Sequence, residues 1–338
     1  MKEISAILKA WDESGILATV VAVRGSAYRK PGARMLVMPN GGRIGSISGG
    51  CLEGEVAKKA AWLTSNGPVL RTYTGDEFGL GCNGSVDVVL ERLNTPKAQR
   101  HMRFLAERYA AGEAGVIATV TSGREVGSRL YIADGRIWAS DLESPGLLTE
   151  QAFEAAREKA SRICSNASIE YLAAPLRLLV FGAGFDVAPV VSMAKQLGWR
   201  VTVATARPAQ FPLADEVVLL APDDLTHGVD LRPETAIVLM THSYATDREL
   251  LQRLLPLKPR YLGLLGPRAR TTQLLEEIGG DIDSGDLHAP IGLDLGADTP
   301  EGIALSIVAE IQAEVAGRSA KMLRTRNEPI YAPVPEFA

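Results

Sequence analysis

The carboxyl-terminal half of the sequence alternates short apolar segments with amphipathic helical patterns. After Pro175 the apolar segments are RLLVFG, RVTVAT, ADEVVLL, TAIVLMT and RYLGLLG, and helical patterns such as VAPVVSMAKQLG and TDRELLQRLLPL separate several of them. Strands that are apolar along their whole length are typical of a parallel sheet whose two faces are both covered by helices. We therefore predict a doubly wound parallel-sheet domain over residues 176–325, followed by a tail at 326–338. Ligands of such sheets bind at the carboxyl ends of the strands.

The amino-terminal half contains two segments that resemble each other at an offset of 100 residues. GILATV, starting at Gly15, matches GVIATV, starting at Gly115, and GARMLVMPNGGRIGSIS parallels GSRLYIADGRIWASD. NGG and ADG predict hairpin turns, and each copy continues into a helical pattern and a short alternating segment, VLRTYT or IEYLAA. We predict an α+β domain over residues 1–170 with a duplicated strand, hairpin and helix unit at about 15–75 and 115–173. Coincidence between two generic hairpin units is the alternative.

Composition and charge exclude several classes of partner. The 338 residues suit two domains of roughly 150 residues each, and a formal charge of −4 provides no general basic surface for nucleic acid or anionic membranes. The start, MKEISAILKAWDES, lacks the apolar region of a signal peptide, and no apolar run approaches the roughly 18 residues of a membrane-spanning helix. We predict a cytoplasmic protein without nucleic-acid or membrane partners, and a homodimer as the default assembly.

Three cysteines are too few for a disulfide framework, and their spacing does not match a zinc site. Cys51 lies in SISGGCLEGEV, where the start of a helix would lower its pKa and make the thiolate available as a nucleophile or soft-metal ligand. Cys82 lies in a second glycine loop, FGLGCNGSVDVVLE. The alternative for Cys51 is a small residue packed at a crowded helix start, and Cys164 is predicted to lie on the apolar face of a helix. Glu53 and Glu55 are interpreted as favourable charges in a first helical turn.

A glycine turn follows the first strand of the predicted parallel sheet. Gly182 and Gly184 open a helix directly after RLLVFG, which is the setting of a phosphate-binding turn. The third glycine of that pattern is replaced by Val187, and Thr205 stands where an Asp or Glu would bind the ribose of NAD. NAD is therefore disfavoured. NADP-like binding through Arg207, another anionic ligand, and a turn without a nucleotide are the alternatives.

Polar loops follow the other strands of this domain: THSYATD, GPRART and LHAPIGLDLGADTPEG. Because the carboxyl ends of parallel strands meet at one edge of the sheet, we predict that cationic side chains converge over the glycine turn and suit a phosphate or pyrophosphate. These cations are Arg207, His242, Arg268, Arg270 and His288. Taken singly, His242 could be a strand-end cap and Arg268 a surface ion pair. The last loop enters a helix predicted to have Thr299 as its cap, Pro300 in its first turn and a buried apolar face.

Together these motifs resemble the XdhC/CoxI family, accessory proteins for the maturation of molybdenum hydroxylases such as xanthine dehydrogenase. GSAYRKPGARMLV, GSISGGCLEGEV and GLGCNGSVDVVLE are similar to the first domain of the family. FGAGFDVAPV, THSYATD, LGLLGPRART and LHAPIGLDLGADTPEGIALSIVAEI are similar to its Rossmann domain, so the resemblance covers nearly the entire chain. This chain departs from the family at three places. The family usually has GCGG where this chain has Gly81-Cys82-Asn83-Gly84, His where this chain has Phe185, and Val-Asp where this chain has Ala204-Thr205.

The resemblance implies a protein that binds molybdenum cofactor, promotes or protects its sulfurated form and delivers it to an apo molybdenum hydroxylase. A cysteine desulfurase would then be the sulfur donor. The cofactor is a pterin with a dithiolene-bound metal and a phosphate, so it implies a soft end at the thiols and an anion-binding end at the cationic strand ends. Cys51 and Cys82 are the residues implied at the molybdenum or sulfur end, and the neighbouring Gly49, Gly50 and Gly81 are implied as further cofactor-binding residues.

Two other functions are carried as alternatives. An NAD(P)-dependent oxidoreductase would use His242 or His288 as its acid–base group, and a regulatory module would bind a nucleotide without chemistry. Thr205 and Phe185 weaken NAD(P) binding, since neither supplies the polar group expected at its position. A maturation chaperone that does not turn over a substrate is the leading hypothesis.

Overall fold

The computed structural model describes residues 2–25, 29–50, 52–63, 67–74, 84–221, 223–279 and 287–327. The chain divides into two compact units, Met1–Ala174 and Pro175–Ile330. Among the described residues, no helix has the length and apolar character needed to cross a membrane.

The first unit contains two five-stranded antiparallel sheets with the same internal order. The elements of its first half are α1 (Lys2–Ala10), β1 (Ile16–Arg24), β2 (Arg34–Val37), β3 (Arg43–Gly45), α2 (Glu53–Ala61), β4 (Val69–Thr74) and β5 (Ser85–Arg92). Those of its second half are α3 (Pro96–Ala111), β6 (Gly115–Val120), β7 (Arg129–Ala133), β8 (Arg136–Ser140), α4 (Gly146–Glu158), β9 (Arg162–Ile163) and β10 (Ala167–Leu172). The strand orders are β3-β2-β1-β5-β4 and β8-β7-β6-β10-β9. The two sheets therefore have the same topology, with β6 to β10 in the places of β1 to β5.

The two hairpins turn at the predicted sequences. NGG connects β2 to β3, and Asp134 and Gly135 connect β7 to β8, with positive φ at Gly41 (80°), Asp134 (51°) and Gly135 (71°). One expected correspondence between the copies is wrong. VLRTYT forms the edge strand β4, whereas IEYL belongs to β10, which occupies the place of β5. The true edge strand of the second sheet, β9, has only two residues, too few to produce an alternating pattern.

Three apolar cores stabilise this unit. Because successive strand residues point to opposite faces, Ile16 and Ala18 of β1 face a core covered by α2, and Leu17 faces a central core. The central core also contains Leu36 from the first sheet, Ile117 and Tyr131 from the second sheet, and apolar residues of α1 and α3. A third core lies between α4 and the second sheet.

Cys164 lies in that third core, although not on a helix as predicted. The helix α4 ends at Glu158, because Lys159 adopts a left-handed conformation with φ of 53°. Cys164 follows the short strand β9, is buried, and donates its backbone N–H to the carbonyl of Ala167 at 2.8 Å. Burial raises the pKa of its thiol.

The second unit is the doubly wound parallel sheet that the sequence predicts. Its elements are β11 (Arg177–Phe181), α5 (Val187–Gln196), β12 (Arg200–Thr205), β13 (Glu216–Leu219), β14 (Ala236–Leu239), α6 (Tyr244–Leu254), β15 (Tyr261–Leu264), α7 (Arg268–Ile278) and α8 (Pro300–Val315). The strand order is β13-β12-β11-β14-β15, and every pairing is parallel. Leu178 and Val180 face the core shared with α5 and α8, while Leu179 and Phe181 face the core shared with α6 and α7.

The strand order places the switch point of this sheet between β11 and β14. From β11 the chain builds outward to β12 and β13, and then returns to build β14 and β15 on the other side. The turns after β11 and β14 therefore flank the crevice where such sheets bind ligands. The predicted start of α8 is also confirmed: Thr299 accepts a hydrogen bond from the Gly302 N–H at 3.1 Å, and Pro300 is the first helical residue.

Candidate functional site

The connection between β3 and α2 wraps around one carboxylate, that of Glu53. Four successive backbone N–H groups, those of residues 47–50, donate hydrogen bonds to it at 2.9–3.2 Å. The hydroxyl groups of Ser46 and Ser48 donate two more, at 2.7 and 2.5 Å. Consecutive amides that point at one position form an anion-binding nest, and here the anion belongs to the protein itself.

Glycine is required at two positions of this loop. Gly49 and Gly50 have φ of 139° and 118°, values that residues with a side chain rarely adopt. The backbone N–H of Leu52 is also fixed, since it donates to the Ser48 hydroxyl at 3.0 Å. The loop is thus held by hydrogen bonds up to Gly50 and again at Leu52. Cys51, Cys82 and Gly81 lie outside the described residues.

The hydrogen bonds change the chemistry of Glu53. Burial acts to raise the pKa of its carboxyl group, but the bonds from Ser48, Ser46 and the loop amides outweigh burial and hold the pKa far below the ordinary range. Glu53 is therefore a permanent anion, 7% exposed, around which the loop is built. This differs from its interpretation as a first-turn charge, because the sequence shows its helical position but not the loop that folds over it.

The corresponding connection in the second sheet is organised differently. Asp141, directly after β8, accepts a hydrogen bond from the Arg129 N–H at 3.1 Å and pairs with Arg100. These contacts anchor the connection to β7 and α3. Within the described residues, the loop built around a carboxylate is a feature of the first sheet, in the segment that also carries Cys51.

In the second unit, the glycine turn after β11 is as tight as the sequence predicts. A side chain at Gly182 would lie 2.5 Å from the carbonyl oxygen of Met240, at the end of β14. A side chain at Gly184 would lie 2.3 Å from Oδ1 of Asp186 and 3.5 Å from Nε2 of His242. The turn therefore brings β11, β14, Asp186 and His242 together at the switch point.

Asp186 puts a carboxylate where the sequence predicts an anion-binding turn. Its side chain is 10% exposed, and its Oδ2 lies 2.9 Å from Nε2 of His242. Its Oδ1 is buried and has no hydrogen-bond partner among the described residues. The carboxylate lies against Gly184, so a phosphate placed there would meet a like charge in a partly desolvated site. His242 adopts a φ of 56°, and its Nε2 is engaged by Asp186 and not directed at a ligand.

The neighbouring strand end does not fit NAD either. The Thr205 hydroxyl, at the end of β12, donates to the backbone carbonyl of Arg207 at 2.7 Å, so it serves the local turn. The side chain of Arg207 is exposed, as is that of Arg268, the first residue of α7. The carboxylate at the glycine turn opposes the pyrophosphate of either dinucleotide, and the lack of an acidic residue at Thr205 leaves the ribose of NAD without its usual partner.

Arg270 does not join the predicted cationic group. Its Nη2 lies 2.7 Å from Oδ2 of Asp247, a residue of α6 that is 1% exposed. Asp247 also accepts a hydrogen bond from the Thr241 hydroxyl at 2.5 Å. Ser243 caps α6 by accepting from the Thr246 N–H at 3.4 Å. The ion pair between Arg270 and Asp247 therefore links α6 to α7, and with them the loops THSYATD and GPRART.

His288 lies along the edge strand of the sheet. Its backbone bonds to Leu262 and Leu264 of β15, and its ring stacks on Tyr261 with 4.3 Å between centroids. Its Nδ1 lies 3.8 Å from Glu310 of α8, which also accepts a hydrogen bond from the Tyr261 hydroxyl. Its ring is therefore engaged with the first residue of β15 and with α8, which differs from the predicted convergence on the strand ends.

The structure thus brings together Gly182, Gly184 and His242, and engages Arg270 and His288 elsewhere. The sequence reasoning did not anticipate the contacts of four carboxylates, which are those of Glu53, Asp186, Asp247 and Glu310. Asp186 was visible as the second residue after Gly184 in FGAGFDV, whereas the others carry no local signal. The described residues contain no group of three or more His, Cys, Asp or Glu that could hold a metal ion.

Two family models match the chain. The model described as the XdhC Rossmann domain matches residues 178–311, and the model described as the XdhC and CoxI family matches residues 9–74. The first lies within the doubly wound unit, and the second covers the first sheet as far as β4, including the Glu53 loop.

Proteins similar over most of their length are also known. The chain is 32% identical to a protein of Bacillus subtilis (strain 168) named as a probable xanthine dehydrogenase subunit, over 91% of this chain and 95% of that protein. It is 24% identical to a protein of Escherichia coli (strain K12) named molybdenum cofactor insertion chaperone PaoD, over 88% and 83% of the two chains. A crystal structure described as a xanthine dehydrogenase from Bacillus halodurans superposes with a TM-score of 0.80 at 30% identity, covering 96% of this chain and 98% of that one.

Proposed function

Because the chain belongs to the XdhC and CoxI family, we propose that it binds molybdenum cofactor and assists its insertion into a molybdenum hydroxylase such as xanthine dehydrogenase. The names of two relatives support this role, since one is a molybdenum cofactor insertion chaperone and the other is a probable component of xanthine dehydrogenase. The chain acts as a maturation chaperone, and the cofactor is its cargo.

The observation that carries the proposal is the loop around Glu53. Six hydrogen bonds to one carboxylate restrain residues 46–50, directly before Cys51 in the sequence. A loop ordered in this way loses less conformational entropy when a ligand binds to it. Thiolates are preferred ligands of soft metal centres, so Cys51 and Cys82 contact the molybdenum or the sulfur of the cargo.

We propose finer parts of the role as well. The chain promotes or protects the sulfurated form of the cofactor, a cysteine desulfurase supplies the sulfur, and the apo hydroxylase receives the product. We place this exchange in the cytoplasm and assign it to a homodimer. Each of these statements is separate from cofactor binding and can fail without it.

Cofactor retention and transfer test the role directly. The full chain would be incubated with molybdenum cofactor released from a purified molybdoenzyme, separated from free cofactor, and mixed with apo xanthine dehydrogenase. We expect the wild type to retain cofactor and restore xanthine oxidation. Cys51→Ala and Cys82→Ala should each retain less cofactor, because each removes a soft ligand.

Cys164→Ala is the matched control, since this thiol is buried in the core between α4 and the second sheet. It should retain cofactor as the wild type does. Arg268→Ala tests whether the second unit takes part in retention. The proposal fails if the wild type retains no cofactor, or if Cys51→Ala and Cys82→Ala both retain and transfer it unchanged.

The rival function, an NAD(P)-dependent oxidoreductase, is not favoured by the second unit. The Asp186 carboxylate lies at the glycine turn, and the Thr205 hydroxyl is engaged with Arg207. A dinucleotide would have to displace or neutralise the first and would gain no ribose partner from the second. We therefore derive no catalytic step through a nicotinamide cofactor.

A further inference from the structure

A groove of about 560 Å³ lies between α2, the β2–β3 hairpin and the end of β5 in the first unit. We call it the Arg43 groove. Its floor is apolar, and Ile16, Val37, Ala57 and Ala61 contribute to it. This volume is within the range of small-molecule sites, which are roughly 300–1,000 Å³.

The charged residues that line the Arg43 groove are all cations. They are Arg43, Lys58 and Arg92, and no Asp or Glu is among the described lining residues. Arg43 and Lys58 are exposed, and neither forms an ion pair with a described residue. Arg92 is half-buried and donates to the backbone carbonyl of Leu63 just beyond α2. On a chain with a formal charge of −4, three cations and no carboxylate among the described lining residues are a local excess of positive charge.

Several other arginines of this unit pair with acidic residues. Arg24, Arg29 and Arg34, for example, pair with Asp87, Glu3 and Glu170. A second pocket of the same unit, of about 400 Å³, is lined by both Arg124 and Glu125. The Arg43 groove differs from that pocket in having three cations and no carboxylate among its described lining residues.

We infer that the Arg43 groove binds a small molecule that combines a phosphate group with a flat or apolar body. The three cations would neutralise the phosphate, and charge-assisted hydrogen bonds from Arg43 and Lys58 would orient it. The apolar floor would cover the body of the ligand. The Arg43 side chain lies close to the start of α2, since a Cβ at Gly54 would be 3.7 Å from its Nη1, an ordinary contact distance.

The inference that the groove binds a phosphate-containing molecule is independent of the proposed function. The inference that this phosphate belongs to molybdenum cofactor rests on the proposed function. Arg43 precedes the Glu53 loop, and Gly54 and Lys58 follow it on α2. The groove thus offers an anion-binding end within the unit that carries Cys51, whereas the glycine turn of the second unit presents the Asp186 carboxylate. The expected anion site moves from the second unit to the first.

The test uses guanosine 5′-monophosphate, whose fused-ring base and single phosphate approximate a phosphorylated pterin. Calorimetry on the full chain would compare it with guanosine and with inorganic phosphate, which separate the two parts of the ligand. The variant Arg43→Glu/Lys58→Glu reverses both exposed cations of the groove. Its matched control, Lys2→Glu/Arg103→Glu, makes the same change of net charge at exposed positions on α1 and α3.

We expect the nucleotide to bind the wild type and the control alike, and the groove variant at least about tenfold more weakly, because two attractive charges become repulsive. Guanosine should bind at least about tenfold more weakly than the nucleotide. Affinity should also fall with rising salt, since the cations are exposed. The inference is overturned if the wild type shows no saturable binding of the nucleotide, or if the groove variant binds it as the control does.

Cofactor retention separates this inference from the proposed function. If the groove variant retains molybdenum cofactor as well as the control does, the groove is not the site of its phosphate, and the function stands. If the wild type retains no cofactor but binds the nucleotide in a manner that the groove variant loses, the function fails and the phosphate site stands.

Discussion

The guanidinium group of Arg34 forms two hydrogen bonds with the carboxylate of Glu170, at 2.9 and 2.5 Å, and so joins the first sheet to the second. Arg129 and Glu91 make the reciprocal contact, at 2.8 and 2.5 Å. Each arginine is the first residue of the second strand in its sheet, and each glutamate lies on the last. The two sheets are thus related by a pair of equivalent, nearly buried ion pairs.

Removing one member of such a pair should destabilise the first unit strongly. In Arg129→Leu, Glu91 would remain 2% exposed without its partner, and we expect a loss of about 3–5 kcal/mol in the free energy of unfolding. Replacing both residues by Leu should recover much of that loss, because neither member of this pair is left as an unpaired buried charge. Urea unfolding of the full chain measures both. A double variant as unstable as the single one would contradict this account.

His101 should make stability depend on pH. Its ring is fully buried beneath the sheets, and neither nitrogen has a hydrogen-bond partner among the described residues. Burial, reinforced by the positive charges of Arg129 and Arg34, holds the pKa of His101 well below its ordinary value. The unfolded chain therefore binds a proton below about pH 6.5 that the folded chain rejects.

The free energy of unfolding is therefore unaffected by His101 above about pH 6.5, and it decreases as the pH is lowered from there towards the folded-state pKa. Relative to the wild type, His101→Phe should gain about 2 kcal/mol between pH 8 and pH 5, since it lacks this proton uptake. Urea unfolding at the two pH values gives the difference. Parallel pH profiles for the two proteins would show that His101 does not titrate in this way.

Glu53 should control the order of the loop before Cys51. Glu53→Gln keeps the size of the side chain but turns one acceptor into a donor that faces the loop amides. We expect amide hydrogen exchange at Gly49 and Gly50 to accelerate at least about tenfold, which corresponds to a loss of about 1–3 kcal/mol for the unsatisfied groups. Glu55→Gln is the control, because Glu55 pairs with Lys59 on α2. Unchanged exchange in Glu53→Gln would refute the role.

The low pKa of Glu53 adds a second dependence of stability on pH. In Glu53 the fold stabilises the charged form of the side chain, whereas in His101 it stabilises the neutral form. The stabilisation by Glu53 is complete above the ordinary carboxyl pKa, about 4.3, and is lost as the pH falls towards the lower folded-state value. The stability difference between the wild type and Glu53→Gln should therefore shrink below about pH 4.3. A difference that stays constant from pH 6 to pH 3 would contradict the assignment.

Asp186 should act against anions at the glycine turn. We expect Asp186→Asn to bind NADP at least about tenfold more tightly than the wild type, because it removes a like charge next to Gly184. Asp223→Asn, at an exposed position, is the control for the change of net charge. Calorimetry on the full chain compares the three. If the wild type binds NADP as tightly as Asp186→Asn, the carboxylate does not oppose the anion.

The sequence anticipated those features that depend on neighbouring residues. The apolar strands of the second unit, the NGG and ADG hairpins and the Thr299 cap are set by short-range pattern, turn conformation and capping, so a few consecutive residues are sufficient to predict them. The two-residue strand β9 was missed because its structure depends on pairing with β10 and not on a pattern within its own residues. The glycine turn was likewise predicted, but not the carboxylate within it.

The sequence by itself determined where strands, turns and helix starts lie, and through its long motifs the family to which the chain belongs. Only the tertiary structure decided which charge meets which partner. Arg34 and Glu170 are 136 positions apart, and Arg270 is held by Asp247 although both come from predicted ligand loops. Even Glu53, a few residues from its donors, depends on the loop folding back over α2. Such contacts are fixed by burial, because a charge removed from water must find its counterpart wherever the fold brings one within reach.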